Sequence, residues 1–321
     1  MRISVVCPVY NEENYITSVL EFFTAASPAD KELWVIDGGS TDNTCAIVEE
    51  WSKKNSNIHL LHNSKKYVPF ALNLAIPQCK GEFIIRLDAH THYAPDYFEA
   101  ILKAFEKSGA EIVGGPMRAK GTTSFQEAVA YCTSTSFGIG DSSFHDDTKE
   151  GFTESVYLGA WKSSVFRTTG LFDEQMMRNQ DDEFHYRARS KGMKIYLDPA
   201  IRSTYFPRSS FSKLFSQYYQ YGLYKPLVLK KVRSGMRIRH LIPAGFVIYL
   251  LTLPLLWYFT GLLAFLPLTI YFLLDLLFSI RVIKSSRDGF HRLLIYPTLH
   301  ISYGTGFLLG LGKKDLNTVT K

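Results

Sequence analysis

Between residues 241 and 280 the chain carries one charged residue, Asp275, in a run that is otherwise apolar, aromatic or small and uncharged. A helix rises about 1.5 Å per residue, so about 20 apolar residues cross the hydrocarbon layer, and this run is long enough for two passages. A helix buried in a soluble core seldom stays apolar on every side for that length. Membrane helices are therefore expected at about 241–259 and 261–280, with a weaker third candidate at 292–311 interrupted by His300 and several glycines. Asp275 and His300 are unusual in hydrocarbon; they either sit at helix ends and against other helices, or have a functional role.

The residues before this run set its orientation. From 207 to 240 there are eight Lys or Arg and no Asp or Glu, a basic juxtamembrane stretch. Lys and Arg concentrate on the cytoplasmic side and attract anionic headgroups or phosphates, so residues 1–240 are expected on the cytoplasmic face of a cell membrane. Residues 207–321 hold 15 basic and 3 acidic residues, a balance of +12 against +6 for the whole chain, so the first 206 are net −6. A nucleic-acid binder would carry its basic residues on the folded domain, and no nucleic-acid partner is expected. The opening MRISVVCPVYNEE turns polar too soon for a signal peptide. Cys7, Cys45, Cys79 and Cys132 follow no metal-ligand spacing and are expected as reduced packing residues.

Residues 1–206 read as alternating strand and helix. Ile3 to Val9 is a β-branched run followed by Asn11-Glu12-Glu13, then Tyr15, Ile16, Val19, Leu20 and Phe23 at helical spacing. The pattern repeats with strands expected at 33–36, 58–61, 83–87 and 112–113 and helices at about 45–54, 69–75 and 95–105. Such alternation predicts an α/β domain with a mostly parallel sheet covered on both faces. In that architecture ligands bind beyond the carboxyl ends of the strands. The polar clusters fall there: Pro8 to Glu13, Asp37 to Asp42, and Asp88 to His92.

Two of these features suggest chemistry. Asp88 and His90, two apart at a strand end, can bring a carboxylate oxygen and an imidazole nitrogen to one divalent cation, with His92 a third candidate. Mixed oxygen and imidazole ligation suits Mn²⁺ and also permits Mg²⁺, and an open coordination sphere suits a metal completed by substrate phosphates. The second feature is GLFDEQMMRNQDDEFHYR, Gly170 to Arg187, with five carboxylates in two clusters. Like charges this dense need a cation, a helix N-terminus or a catalytic task to offset them. Asp181 or Asp182, near a helix start, fits a proton acceptor, and Glu183 can pair with Arg187 across one turn.

The ordered series CPVYNEE, VIDGGSTDNT, LDAH and FDE with NQDDEFHYR resembles the inverting family 2 glycosyltransferases. LDAH with RNQDDEFHYRAR, YFPRSSFSKLFSQYYQYG and an apolar tail is similar in particular to the glucosyltransferases of succinoglycan-type exopolysaccharide biosynthesis. The resemblance covers most of the chain and implies a Rossmann-like GT-A domain. It implies that Pro8, Tyr10 and Glu12 line the nucleotide base, that Asp37 holds the uracil or ribose, and that Asp88 is the first carboxylate of the metal motif. His90 stands where most members have a second Asp. Counting back from Arg187 places Gln180 at the family's Glu position and Asp181 at the base, with Asp182 as second choice. Gly159 and Ala160 resemble the short acceptor-side loop, and Gln217, Tyr221 and Gly222 the interfacial helix facing the acceptor.

The expected organisation is a catalytic domain over 1–206, basic interfacial helices over 207–240, a membrane domain over 241–312 and a tail over 313–321. Residues 138–154 read as a surface loop or a lid over the donor. Aromatics alternating with polar residues at 210–224 suit the headgroup layer, and a lipid diphosphate is expected near Arg208, Lys213 and Lys225. The expected activity is transfer of a hexose from UDP-glucose or a related UDP-hexose to a polyprenyl-diphosphate-linked saccharide, in exopolysaccharide or surface glycan synthesis. The alternatives are a polyprenyl-phosphate sugar synthase and, from another class, a non-catalytic membrane scaffold that binds nucleotide sugars.

Overall fold

A computed structural model describes residues 2–140, 147–232, 237–281 and 286–313. Parts of the expected lid, of the basic stretch before the apolar run and of the tail 313–321 lie outside the described residues. In chain order the elements begin β1 (Ile3–Val9), α1 (Ile16–Ala25), β2 (Lys31–Asp37), α2 (Thr44–Lys54), β3 (Ile58–His62), α3 (Val68–Ala75) and β4 (Phe83–Arg86). There follow β5 (Thr91–Tyr93), α4 (Tyr97–Ser108), β6 (Ile112–Gly115), β7 (Arg118–Ala119), α5 (Ser124–Cys132), α6 (Ser136–Ile139), β8 (Gly151–Phe152) and β9 (Tyr157–Lys162). The remainder are α7 (Ser164–Thr169), α8 (Gln180–Ser190), β10 (Ile195–Leu197), β11 (Ser203–Tyr205), α9 (Phe211–Val232), α10 (Ile238–Thr260), α11 (Leu266–Ile280) and α12 (Ser286–Leu311). They form two compact units, Met1–Arg118 with Ser143–Tyr205, and Ala119–Ser142 with Phe206–Lys321. The excursion Ala119–Ser142 thus belongs with the C-terminal unit, a departure from the unbroken 1–206 domain expected from the sequence.

The first unit is built on an eight-stranded sheet in the order β3-β2-β1-β4-β9-β6-β10-β8. β3, β2, β1 and β4 run parallel, as do β6 and β10, while β9 and β8 are antiparallel insertions. The expected mostly parallel sheet is present. Side chains alternate across a strand, so Val5, Cys7 and Val9 of β1 enter one core with α1 and α4, while Val6 enters another with α3 and α8. Helix α1 forms because Ile16, Val19, Leu20 and Phe23 recur on one face and are all buried. Parallel order brings the carboxyl ends of β1, β2 and β4 to one edge. A second sheet, β5-β11-β7, begins just after the turn that contains Asp88 and His90.

In the second unit, Phe125, Val129 and Cys132 of α5 share a core with Leu214 of α9 and Ile295, Tyr296 and Leu299 of α12. Helices α9 and α12 approach closely at glycines: a Cβ on Gly222 would lie 2.1 Å from the Tyr303 carbonyl oxygen, and one on Gly306 2.1 Å from that of Tyr219. Gly222→Leu is therefore expected to force the helices apart and cost about 1–3 kcal/mol, measurable as a lower thermal midpoint in detergent with the fold of the first unit retained.

Among the described residues, Ile238–Ile280 is the one segment long and apolar enough to cross a membrane. It forms α10 and α11, separated by a short 3₁₀ turn at Gly261–Phe265. Most of its large apolar side chains are exposed within the chain, Leu251, Tyr258 and Leu262 among them. The third candidate, 292–311, falls in α12, where Ile295, Tyr296, Leu299 and Phe307 are buried. The first two expected spans thus fall within this one apolar segment, as α10 and α11, and the third falls within α12. Asp275 and His300 have local partners: Ser279 Oγ donates to Asp275 at 3.0 Å, and the His300 ring contacts the Tyr271 hydroxyl and the Phe137 carbonyl, each at 2.8 Å.

Candidate active site

The loops after β1 and β2 are fastened to each other. The Asn11 and Glu12 amides donate to Ser40 Oγ and Thr44 Oγ1, and the Thr41 amide donates to Asn11 Oδ1, each at 2.8 Å. The Glu13 amide donates to Asp42 and the Asn43 amide to Glu13, both at 3.1 Å. Asn11 adopts a positive φ of 54°, which Asn tolerates better than most residues, and so the chain turns back over the sheet edge. Pro8 is half-buried near the end of β1, Tyr10 is exposed with Lys66 Nζ 3.7 Å above its ring, and the Glu12 side chain is mostly covered. The three expected nucleotide-side residues thus converge at one sheet edge with Asp37.

The centre of the site is an arginine that sequence reasoning passed over. Arg86, the last residue of β4, donates from Nε to Asp88 Oδ1 at 3.0 Å and from Nη1 to Asp181 Oδ1 and Oδ2 at 3.1 and 2.9 Å. Its side chain is only 9% exposed. Burial alone would lower its pKa, but Asp88 and Asp181 more than reverse this, so the guanidinium is held charged more firmly than usual. One fork therefore joins the strand-end carboxylate to the carboxylate in the first turn of α8, 95 residues after Arg86 in the chain. The available signal was a charged residue closing an otherwise apolar strand, FIIR, because arginine is almost never buried unless paired. The turn itself is rigid: the Asp88 amide donates to the Tyr93 hydroxyl at 2.7 Å, and that hydroxyl donates to the Asp88 carbonyl at 3.0 Å. Burial, then the neighbouring Tyr97 and Asp88, raise the Tyr93 pKa well above 10 and keep it a donor.

His90 Nδ1 lies 3.1 Å from Glu12 Oε1. In the tautomer that donates Nδ1–H to this carboxylate, Nε2 carries the lone pair, the arrangement by which protein carboxylates orient metal-binding imidazoles. His92 is exposed on β5 opposite Thr204, so the turn brings Asp88 and His90 to the site edge and sends His92 into the second sheet.

The acidic stretch separates by role. Asn179, at φ 57°, precedes α8, so Asp181, Asp182 and Glu183 occupy its first turn, where the helix dipole favours negative charge. Glu183 is buried and forms the expected two-point pair with Arg187, at 2.7 and 2.9 Å. Arg187 also donates to the carbonyls of Thr169 and Leu171, holding the preceding loop. Gln180 Nε2 donates to Asp181 at 3.4 Å. Asp173 accepts the Gln175 amide in a tight turn, and Glu174 accepts from Asn73 and pairs with Lys65 at 3.7 Å. Behind Asp181, His185 is buried with Nδ1 2.9 Å from Ser155 Oγ, and burial lowers its pKa.

Asp37 closes β2. It accepts the amides of Gly39 at 2.9 Å and Ser40 at 3.1 Å, with the Cys45 thiol a further donor. Burial alone would raise its pKa, but these hydrogen bonds outweigh it and hold the carboxyl below the usual range. Conversely, burial and the Asp37 carboxylate push the Cys45 thiol up to about 11. His62 Nδ1 stands 3.8 Å from Asp37 Oδ2, so Asp37, Cys45 and His62 form a possible metal-ligating group that no sequence spacing announced.

Other expected residues are placed differently. Gly159 and Ala160 form the middle of β9, paired with β4 and β6, rather than a loop; Ala160 is wholly buried. Gln217 and Tyr221 lie on α9 of the second unit, where Gln217 Nε2 donates to the Tyr221 hydroxyl at 3.0 Å, and Arg208 is exposed just before that helix.

Residues 4–167 match the family model described as Glycosyl transferase family 2. The dolichyl N-acetyl-alpha-D-glucosaminyl phosphate 3-beta-D-2,3-diacetamido-2,3-dideoxy-beta-D-glucuronosyltransferase of Methanococcus voltae is 31% identical over 97% of this chain and 97% of its own length. Succinoglycan biosynthesis protein ExoA of Rhizobium meliloti is 28% identical over 74% of this chain and 73% of its own. Among solved structures, the mannosyltransferase PcManGT of Pyrobaculum calidifontis, in complex with GDP-Man and Mn²⁺, superposes with a TM-score of 0.69 at 17% identity, over 98% of this chain and 88% of that one. S. aureus TarS 1–349 in complex with UDP-GlcNAc superposes at 0.55 with 18% identity, over 94% and 91%. At such identities the structures establish a shared GT-A fold, while the match across half the chain and the full-length relative establish descent: the chain belongs to glycosyltransferase family 2.

Proposed function

We propose that the chain is a membrane-anchored inverting glycosyltransferase that moves a hexose from a UDP-sugar to a lipid-linked saccharide at the cytoplasmic face. The observation that carries this reading is the Arg86 fork, which holds Asp88 and Asp181 in one site. A carboxylate has about four lone-pair sites, so Asp181 retains acceptor capacity for an acceptor hydroxyl beyond its bonds to Arg86. Asp181 takes the hydroxyl proton as that oxygen attacks the anomeric carbon, and the bond to the nucleoside diphosphate breaks on the opposite side. Using Asp181 as base rather than nucleophile gives inversion. Pro8, Tyr10, Glu12 and Asp37 hold the nucleotide.

Asp88 and His90 fit a divalent cation, Mn²⁺ or Mg²⁺, because the donor set is a carboxylate and an imidazole that Glu12 orients. When bound, that ion neutralises charge on the departing diphosphate. The Methanococcus relative is named for an acceptor whose sugar is already linked to lipid phosphate, which supports a saccharide hydroxyl as acceptor over a bare polyprenyl phosphate. The succinoglycan relative supports a role in exopolysaccharide or surface glycan synthesis. Anchoring rests on the apolar segment Ile238–Ile280 and the basic residues before it, and Gln217, Tyr221 and Arg208 are assigned to the acceptor.

The test is a panel of UDP-sugars against polyprenyl phosphate, polyprenyl-phosphate sugar and polyprenyl-diphosphate sugar, read by mass spectrometry of the lipid. One UDP-hexose is expected to extend a sugar-bearing lipid, with turnover lost in EDTA and restored by Mn²⁺. Product on bare polyprenyl phosphate would instead identify a polyprenyl-phosphate sugar synthase, and nucleotide-sugar binding without turnover a scaffold.

A further inference from the structure

Asp37, Cys45 and His62 come from three separate elements, and the fold alone brings them together. Asp37 and His62 are register partners at the carboxyl ends of the parallel strands β2 and β3, so their side chains leave the sheet side by side. Cys45 is the second residue of α2, whose first turn returns over the end of β2. A carboxylate oxygen, the thiol sulfur and an imidazole nitrogen then lie within 4.8 Å of one another. The three are graded in access: Asp37 is buried, Cys45 half-buried, and the His62 side chain 68% exposed. The Asp37 side chain is held by the Gly39 and Ser40 amides and accepts from the Cys45 thiol, and the His62 ring is exposed at the open side.

This donor set differs in kind from Asp88 and His90. One sulfur, one nitrogen and one oxygen suit a borderline-soft cation such as Zn²⁺, which takes three protein ligands and leaves a fourth position for water. With bonds of about 2.0–2.3 Å to such donors, the ligand atoms sit about 3.3–3.8 Å apart. Closing from the present spread needs a shift of about 1 Å, which the exposed His62 ring can supply by side-chain rotation.

We propose that Asp37, Cys45 and His62 form a second cation site, selective for Zn²⁺ over Mn²⁺ or Mg²⁺, and that its occupation competes with the nucleotide. Binding replaces the Cys45 S–H bond with a sulfur–zinc bond and releases the proton to solvent. The competition follows from Asp37, whose two oxygens already accept the Gly39 and Ser40 amides and so keep little capacity for a cation and the nucleotide together; this half rests on the nucleotide-side role of Asp37 given above. Free zinc would then throttle transfer at the donor pocket without touching Asp88, Arg86 or Asp181.

The test uses the full chain in detergent, in buffer free of phosphate and thiols. Co²⁺, which replaces Zn²⁺ and reports thiolate ligation through a sulfur-to-metal charge-transfer band, is titrated alone, then displaced with Zn²⁺. The band is expected in the wild type and in Cys79→Ser, lost in Cys45→Ser, and weakened about tenfold or more in affinity in His62→Ala. Cys45→Ser keeps a hydroxyl that can donate to Asp37. A band that survives Cys45→Ser, or no band in the wild type, overturns the site whatever the enzyme's activity. Separately, UDP is expected to lower the apparent Zn²⁺ affinity of the wild type, and the ratio of turnover with and without Zn²⁺ should return towards one in both variants. Zinc that binds with unchanged affinity in saturating UDP overturns the competition while leaving the site. Absence of UDP binding itself would mark failure of the functional reading, with the cobalt band still deciding the site.

Discussion

Asp181→Asn should reduce sugar transfer by about 10²–10⁴-fold while UDP still binds. The amide keeps the size and shape of the carboxylate but accepts through one oxygen, and its nitrogen cannot take a proton from the acceptor hydroxyl. It also turns a donor towards Arg86, which now meets one acceptor on α8 where it had two, at 2.9 and 3.1 Å. Some loss of stability is therefore expected along with the kinetic loss, and the two separate by measurement. Nucleotide affinity by calorimetry reports whether the pocket is intact, and product formation at saturating donor and acceptor reports the chemical step. Asp182→Asn is the control. Asp182 shares the first turn of α8 but lies outside the bonds the Arg86 fork makes, so its turnover should fall less than about tenfold. Near-normal transfer by Asp181→Asn, or a larger loss in Asp182→Asn, would move the base to Asp182.

In the sequence, Asp181 is preferred to Asp182 only through its distance from Arg187 in the pattern that the family resemblance implies. Arg187 pairs with Glu183 and also ties α8 to the Thr169 and Leu171 carbonyls of the preceding segment, while Asp181 of the first turn meets Arg86. The parallel strands were readable because β-branched runs such as Ile3 to Val9 alternate with amphipathic helices, and the polar strand ends followed from that order. What sequence could not show depends on register and on contacts distant in the chain. Gly159 and Ala160 resemble an acceptor-side loop in sequence, yet YLGAW lies in β9, which β4 and β6 hold between them; a strand paired on both sides needs no help from its own propensity. Cys45 and His62 fit no ligand spacing because the return of α2 over β2 and the pairing of β2 with β3, not chain distance, set their approach to Asp37. Ala119–Ser142 falls inside the 1–206 domain expected from the sequence, but α5 buries Phe125, Val129 and Cys132 against Leu214 of α9 and Ile295, Tyr296 and Leu299 of α12.

Arg86→Met should be the most damaging single change to the site as a whole. Methionine matches the length of the aliphatic stem and removes the guanidinium, leaving Asp88 and Asp181 with no cation between them. Removing one partner of a buried charge pair costs about 3–5 kcal/mol; the lower end, about 3 kcal/mol, applies here because the Asp181 side chain is 37% exposed and water can solvate it. Arg86→Lys isolates geometry from charge. A lysine ammonium is a point donor on a flexible stem and cannot reproduce Nε to Asp88 together with Nη1 to Asp181. Lysine should recover part of the thermal midpoint yet leave transfer depressed by about tenfold or more, because Asp181 is no longer held against the acceptor. The pairing itself is then measured by a cycle. If Arg86 and Asp181 act as one unit, Arg86→Met combined with Asp181→Asn should be more stable than the sum of the single losses, by about 1–3 kcal/mol, since the second change removes the charge that the first left stranded. Additive losses would mean that Arg86 serves Asp88 alone, and that the base and the leaving-group carboxylate are positioned independently.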